Sequence, residues 1–244
     1  MKNYTRSYQL HNAGYEKDLD YYTKDAVISR TEITKDFERN GFKFALDITK
    51  NLPYIHVDIG CGVGWLIRKM QPYFKKSIGI EPSGIAINHA KKVIENLDNV
   101  TFLEEDMLTA FKKIPTEQKI FFTTGAVLSH IENSYVEAFL SEMNNVAEGS
   151  VLYFSEPYDK NIDWDMWHIR NKRWWRKNLK SWQLIFLDLD NSGYFSGIYG
   201  IKLKDGDLLK NKDDTLIMYI VWSLDKYLNI IKRISSKILR ILLK

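Results

Sequence analysis

Cysteine is almost absent, Cys61 being the single one among 244 residues. A lone thiol excludes an internal disulfide and any multi-cysteine metal site, and such usage fits a reducing cytosol. Long hydrophobic runs are missing as well. The longest, residues 216–222, falls far short of the ~18–20 apolar residues that a membrane-spanning helix needs. Residues 1–10 are polar and aromatic, without the apolar stretch of a secretory signal. A cytoplasmic protein is expected, neither exported nor spanning a membrane. No segment recurs with the ~20–50-residue period of solenoids or propellers. The net charge is only +4, with a pI near 8.8, and the excess is local: it gathers between Arg170 and Lys180 and again after Lys226.

What is present reads as globular. Hydrophobic residues make up 45% and charged residues 27%, which excludes a disordered or fibrous chain. The length allows one sizeable core, alone or with an appendage. Residues 1–30 are rich in tyrosine (Tyr4, Tyr8, Tyr15, Tyr21, Tyr22) with weak periodicity, whereas Ile33, Phe37, Gly41, Phe44 and Ile48 recur at helical spacing. An N-terminal arm followed by a helix is expected. Strand-like runs at 54–59, 77–80, 100–103, 119–123 and 150–155 then alternate with helical patterns from 65, at 84–96, 107–112 and 134–146. That alternation predicts an α/β fold, a mostly parallel sheet with helices on both faces. Two last runs, 182–189 and 194–203, flank Asp190, Asn191, Ser192 and Gly193 and predict an antiparallel hairpin.

The sharpest signal is Val57-Asp58-Ile59-Gly60-Cys61-Gly62-Val63-Gly64, placed between a predicted strand and a predicted helix. Glycines there admit dihedrals closed to other residues and let a ligand approach the backbone, and the helix start offers unpaired N–H groups. The spacing is not that of a dinucleotide fingerprint, because position six from Gly60 is Trp65 and the third glycine, Gly64, comes one residue early. No Gly-Lys-Ser/Thr follows, so a P-loop is disfavoured too. Glu81 stands after the second strand, about twenty residues on, where a carboxylate can accept hydrogen bonds from a ribose. Asp106 and Met107 follow the third strand, Thr124-Gly125-Ala126-Val127-Leu128-Ser129-His130-Ile131 the fourth, and Ser155-Glu156-Pro157 closes the fifth.

Across residues 33–203 this pattern resembles the class I, Rossmann-like S-adenosylmethionine-dependent methyltransferases, whose first motif reads D-x-G-x-G-x-G. The resemblance implies a cofactor site of Asp58, Gly60, Cys61, Gly62, Gly64, Glu81, Pro82, Asp106, Met107, Thr124 and Gly125, with Asp58 near the methionine end, Glu81 on the ribose and Asp106 at the adenine amine. S-adenosyl-L-methionine is the implied cofactor, S-adenosyl-L-homocysteine its product, and no metal is expected. One departure stands out: Gln118 and Lys119 occupy the place before the fourth strand where the family usually has an acidic residue.

The acceptor is less legible. Thr-Thr-Gly-Ala after the fourth strand is not the N/D-P-P-Y/F loop of nucleic-acid amino methyltransferases, and Cys61 lies inside the cofactor loop, where it cannot serve as the nucleophile of RNA cytosine C5 enzymes. Residues 163–182 hold five of the seven tryptophans together with His168, Arg170, Lys172, Arg173, Arg176, Lys177 and Lys180. Aromatic faces beside guanidinium groups suit a sugar carrying phosphate or carboxylate, and equally single-stranded nucleic acid. The plainer alternative is an amphipathic helix whose stripe Trp164, His168, Trp175, Leu179, Trp182 is core. Tyr158, Trp167, Arg170, Arg173 and Trp174 are the expected substrate contacts. His130 and His168 are the candidate bases, since imidazole titrates near neutrality.

Residues 1–203 are thus expected to form the methyltransferase domain, with 1–32 as arm or lid and 157–181 as the acceptor-side insertion. Residues 204–244 read as a linker and a basic amphipathic helix in which Tyr227, Ile231, Ile234, Ile238 and Ile241 form a narrow seam beside Lys226, Lys232, Arg233, Lys237, Arg240 and Lys244. Packing on the body, a homodimer seam and contact with an anionic membrane surface all fit that pattern. The function expected is methyl transfer to an oxygen of a small anionic or sugar-containing acceptor. Small stand-alone methyltransferases of this kind are similar to those that modify capsular or lipopolysaccharide sugars and their phosphate or phosphoramidate groups. An RNA or other small-molecule methyltransferase, or a non-catalytic binding module of the same fold, are the alternatives.

Overall fold

A computed structural model describes residues 42–94, 96–125, 127–156, 168–188 and 196–204. The expectations for the N-terminal arm, for Tyr158, Trp164 and Trp167, for the hairpin turn and for 205–244 lie outside these residues. The described chain opens with helix α1 (Phe42–Thr49) and then alternates: β1 (Ile55–Ile59), α2 (Trp65–Met70), β2 (Lys76–Ile80), α3 (Gly84–Val93), β3 (Val100–Leu103), α4 (Met107–Phe111), β4 (Ile120–Gly125), α5 (Asn133–Met143), β5 (Val151–Glu156). Helix α6 (Lys172–Asn178) leads to β6 (Trp182–Asp188) and β7 (Ser196–Lys202).

Seven strands form one sheet in the order β3-β2-β1-β4-β5-β7-β6. The first five are parallel, and β7 runs antiparallel between β5 and β6. Every residue of β1 and β5 is buried, as parallel strands covered on both faces require, whereas β3 at the edge is half-exposed. The core is continuous from Ile55, Ile78 and Ile120 in the sheet to Phe111, Phe139 and Leu140 on the helices and on to Trp175 and Trp182. This is the class I methyltransferase fold, parallel core and antiparallel edge hairpin included. The order reverses at β1, whose neighbours are β2 on one side and β4 on the other. Ligands of open α/β sheets bind at such a reversal, beyond the carboxyl ends of the strands. In this chain those ends carry the glycine loop, Glu81 and the turn after β4.

The tryptophan-rich segment divides. Among its described residues, 168–182, only 172–178 are helical, and the stripe reading holds for Trp175, Leu179 and Trp182, exposed by 1%, 0% and 3%, but not for the half-exposed His168. Trp182 meets Phe122 and Trp175 meets Phe154, both edge to face, so the expected core stripe closes the far end of the sheet. Lys172, Arg173, Arg176, Lys177 and Lys180 are exposed.

Candidate active site

Gly60, Gly62 and Gly64 have φ of 69°, 52° and 78°, the left-handed region that favours glycine. Two of them are also sterically required. A Cβ on Gly60 would lie 2.4 Å from Cγ2 of Val127, and one on Gly64 2.7 Å from Cβ of Ala90 on α3. The loop is fastened to β2, because the N–H groups of Gly60 and Cys61 both donate to the Ile80 carbonyl, at 2.8 and 3.0 Å. The Cys61 thiol is buried among Ile67 and Ile94, and burial, with the Asp58 and Glu81 carboxylates nearby, pushes its pKa far up. The Cys61 backbone is engaged as well, the N–H with Ile80 and the carbonyl with the Gly64 N–H at 2.9 Å.

Glu81 extends from the end of β2 and is 8% exposed. Its Oε2 accepts the Gly62 N–H at 3.1 Å and its Oε1 the Ser83 N–H at 3.0 Å. Burial raises its pKa, offset in part by those two N–H groups. Each carboxylate oxygen keeps a lone pair beyond these bonds, which suits a pair of hydroxyl donors such as a ribose diol. Pro82 follows, half-buried. The residues present therefore fit S-adenosylmethionine at the ribose.

Asp58 sits at the centre of a buried polar chain. The Thr123 hydroxyl donates to Asp58 Oδ1 at 2.8 Å, and His56 Nε2 lies 3.0 Å from the same hydroxyl. Because the hydroxyl proton goes to the carboxylate, His56 is the Nε2–H tautomer and donates to Thr123. Burial lowers the His56 pKa to about 3, so the ring, stacked on Phe74 at 5.4 Å, is neutral. Neither His56 nor Thr123 was among the expected site residues. His56 and Asp58 share one face of β1, and Asp58 lies opposite Thr123 in the β1–β4 register.

Asp106 is the N-cap of α4, its Oδ1 accepting from the Leu108 and Thr109 N–H groups at 2.9 and 3.0 Å and from the Tyr135 hydroxyl, its Oδ2 from the Thr109 hydroxyl at 2.6 Å. Burial would raise its pKa, but the bonds from Thr109, Tyr135 and Leu108 outweigh that and hold it below the usual range. Only Oδ2 has capacity for a further donor such as an adenine amine. The Met107 side chain is in the core, 4% exposed. At the end of β4, Thr124 is buried, while a Cβ built on Gly125 meets nothing within 4 Å.

Past β4 the chain makes a 3-10 turn, Leu128–His130. Glu156, at the end of β5 and 1% exposed, accepts the Leu128 and Ser129 N–H groups, both at 3.0 Å. Arg170 is 3% exposed, and its donors go to the Leu128 carbonyl at 2.6 Å, to the Ile131 carbonyl and to Asn133 Oδ1 at 2.9 Å. Arg170, expected at the acceptor, is thus placed with three donors on this turn and on the start of α5. The His168 N–H donates to the Ser129 carbonyl at 2.7 Å, so both candidate histidines belong to one turn, His130 half-buried within it and His168 alongside. His168 Nε2 is 4.0 Å from Glu132. Trp174 lies under the Arg170 guanidinium, 4.9 Å to the ring centroid, and its indole N–H donates to Glu137 at 3.1 Å. Arg173 is exposed. Among the described residues no group of His, Cys, Asp and Glu could hold a metal ion.

The parallel sheet with its antiparallel edge hairpin and the left-handed glycine loop after β1 are the fold and loop expected of a class I methyltransferase. The comparisons with known proteins agree. Residues 57–149 match the family model of a methyltransferase domain. Among solved structures, the N-methyltransferase NodS from Bradyrhizobium japonicum WM9 with S-adenosyl-L-homocysteine is similar at a TM-score of 0.63 and 16% identity, covering 82% of this chain and 99% of that one. A DhpI–SAH complex gives 0.61 and 17%, covering 83% and 98%, and the magnesium protoporphyrin IX methyltransferase ChlM from Synechocystis PCC 6803 with bound SAM gives 0.60 and 15%, covering 81% and 97%. No curated protein sequence matches the chain. At these identities the structural likeness is one of fold. The family match, which spans the glycine loop through the end of α5, supports an S-adenosylmethionine-dependent methyltransferase.

Proposed function

We propose that the chain transfers the methyl group of S-adenosylmethionine to an oxygen of a small anionic or sugar-containing acceptor, of the kind found in bacterial surface glycans. The observation that carries the cofactor half is the Glu81 carboxylate, fixed by the Gly62 and Ser83 N–H groups with a lone pair left on each oxygen. Bound there, the cofactor supplies an electrophilic sulfonium methyl. The chain's own part is positioning and proton handling: backbone of the glycine loop approaches the cofactor, Glu81 orients its ribose, and the β4 turn presents His130 with His168 beside it. Either imidazole can take the proton of an acceptor hydroxyl as the oxygen attacks in line. The anionic character of the acceptor is supported by Arg173 and the exposed cations of α6 around it.

Calorimetric titration with S-adenosylmethionine and S-adenosylhomocysteine tests this first. Micromolar binding by the wild type, weakened at least tenfold in Glu81→Ala, is expected, followed by radiolabelled methyl transfer to phosphorylated sugars. A wild-type chain that binds neither compound overturns the methyltransferase assignment.

A further inference from the structure

We propose that Glu156 and Arg170 form a two-sided clamp that positions the β4 turn and thereby sets the place of His130 and His168 relative to the methyl acceptor. This deepens the proposed function and rests on it for the identity of the reaction, but the clamp itself stands on geometry. A short turn has N–H groups and carbonyls that no helix or strand ladder satisfies. Here the buried carboxylate takes the N–H groups of Leu128 and Ser129. The guanidinium takes the carbonyls of Leu128 and Ile131 through two different nitrogens, and its third donor reaches Asn133 at the start of α5. Leu128 is therefore held at both its N–H and its carbonyl. Ser129 is held at its N–H by Glu156 and at its carbonyl by the His168 N–H.

The three parts of the clamp come from separate stretches: the turn from the end of β4, Glu156 from the end of β5, and Arg170 from the acceptor-side segment two residues beyond His168. Its effect is to register that segment against the turn, so that the two histidines keep a fixed relation although 38 positions separate them. The fork geometry of arginine matters, because the three acceptors lie in different directions and an ammonium has no planar fork to match them. Both residues are positioning residues, neither being placed to touch an acceptor. Burial raises the Glu156 pKa to about 7 against the pull of those two N–H groups and of Arg170, as expected of a carboxylate held in a dry setting by the turn it orders.

The test is hydrogen exchange and histidine-ring NMR on the full chain with Glu156→Gln and Arg170→Lys, with S-adenosylhomocysteine titration alongside. Glu156→Gln turns one acceptor into an NH2 group facing an N–H donor. The expected result is at least tenfold faster exchange at the Leu128 and Ser129 amides with β1 and β2 amides unchanged, a His130 ring titration displaced from the wild-type value, and S-adenosylhomocysteine affinity within about threefold of wild type. Arg170→Lys, which keeps the charge, is expected to give the same pattern at Ser129 and to broaden the His168 ring signal. Unchanged exchange at Leu128 and Ser129 overturns the clamp. Exchange that rises equally throughout the sheet also overturns it, by assigning Glu156 to general stability. Failure of the wild type to bind S-adenosylhomocysteine falls instead on the methyltransferase reading, and the amide readout then decides the clamp separately.

Discussion

Two glycines of the candidate site differ in what they tolerate. Gly60 combines a φ of 69° with a Cβ position 2.4 Å from Val127, so Gly60→Ala meets both backbone strain and overlap. A loss of about 2–4 kcal/mol in chemical denaturation is expected, by the usual size of strain and overpacking terms, together with loss of S-adenosylhomocysteine binding. Gly125 has no positive φ, and its Cβ would meet nothing within 4 Å. Gly125→Ala is expected to melt as the wild type does while binding S-adenosylhomocysteine at least fivefold more weakly, because the methyl group projects from the carboxyl end of β4 where the cofactor's place is proposed. Unchanged affinity in Gly125→Ala would remove that residue from the cofactor site. The same contrast separates Asp106 from Glu81: the first serves its own helix with most of its lone pairs, the second keeps two free of the backbone.

At the scale of elements, α6 is a helix of two uses. Trp175 is 1% exposed and stands edge to face with Phe154 and with Trp174, so Trp175→Ala is expected to cost about 3–5 kcal/mol, read as a lowered denaturation midpoint. Arg173→Ala on the exposed side is expected to leave the midpoint within about 0.5 kcal/mol, as surface substitutions do, which makes it the clean probe of acceptor charge. The strands were legible because alternation and turn residues report burial directly: β3 ran from Val100 to Leu103 as expected, and β1, β2, β4 and β5 shifted at their ends by one or two residues. The glycine loop and Glu81 were legible for the same reason, their signal being local. Arg170 was not, because a guanidinium beside tryptophans looks the same in sequence whether it faces a ligand or three acceptors of its own chain, and those acceptors lie some forty positions earlier. Thr123 and His56 went unnoticed because the pairing that joins them to Asp58 belongs to the β1–β4 register, which one sequence does not display.

For the molecule as a whole, two buried groups shape stability against pH in opposite directions. Folded His56 titrates near 3 and the unfolded side chain near 6.5, so across that window the unfolded chain binds more protons and stability rises with pH. Folded Glu156 holds its proton up to about 7 against 4.5 when unfolded, so in that window the folded chain binds more and stability falls as pH rises. Each contributes at most about 1.4 kcal/mol per pH unit. Between pH 4.5 and 6.5 the two oppose one another, Glu81, whose pKa burial also raises, acting with Glu156. Below 4.5 the histidine is unopposed by Glu156, and Asp106, whose lowered pKa works in the same sense as the histidine's, joins it. A denaturation midpoint that changes less from pH 6.5 to 4.5 than in the fall from 4.5 to 3 is expected. His56→Phe should soften the acid limb, and an equally steep fall in that variant would show that the limb lies elsewhere. The contact of Gly60 with Val127 has a consequence for how such a chain can change over generations. Because the two loops touch without a spare ångström, a glycine loop borrowed from a distant relative will work only if the stretch after β4 arrives with it, and the two segments are expected to be inherited and recombined as a unit.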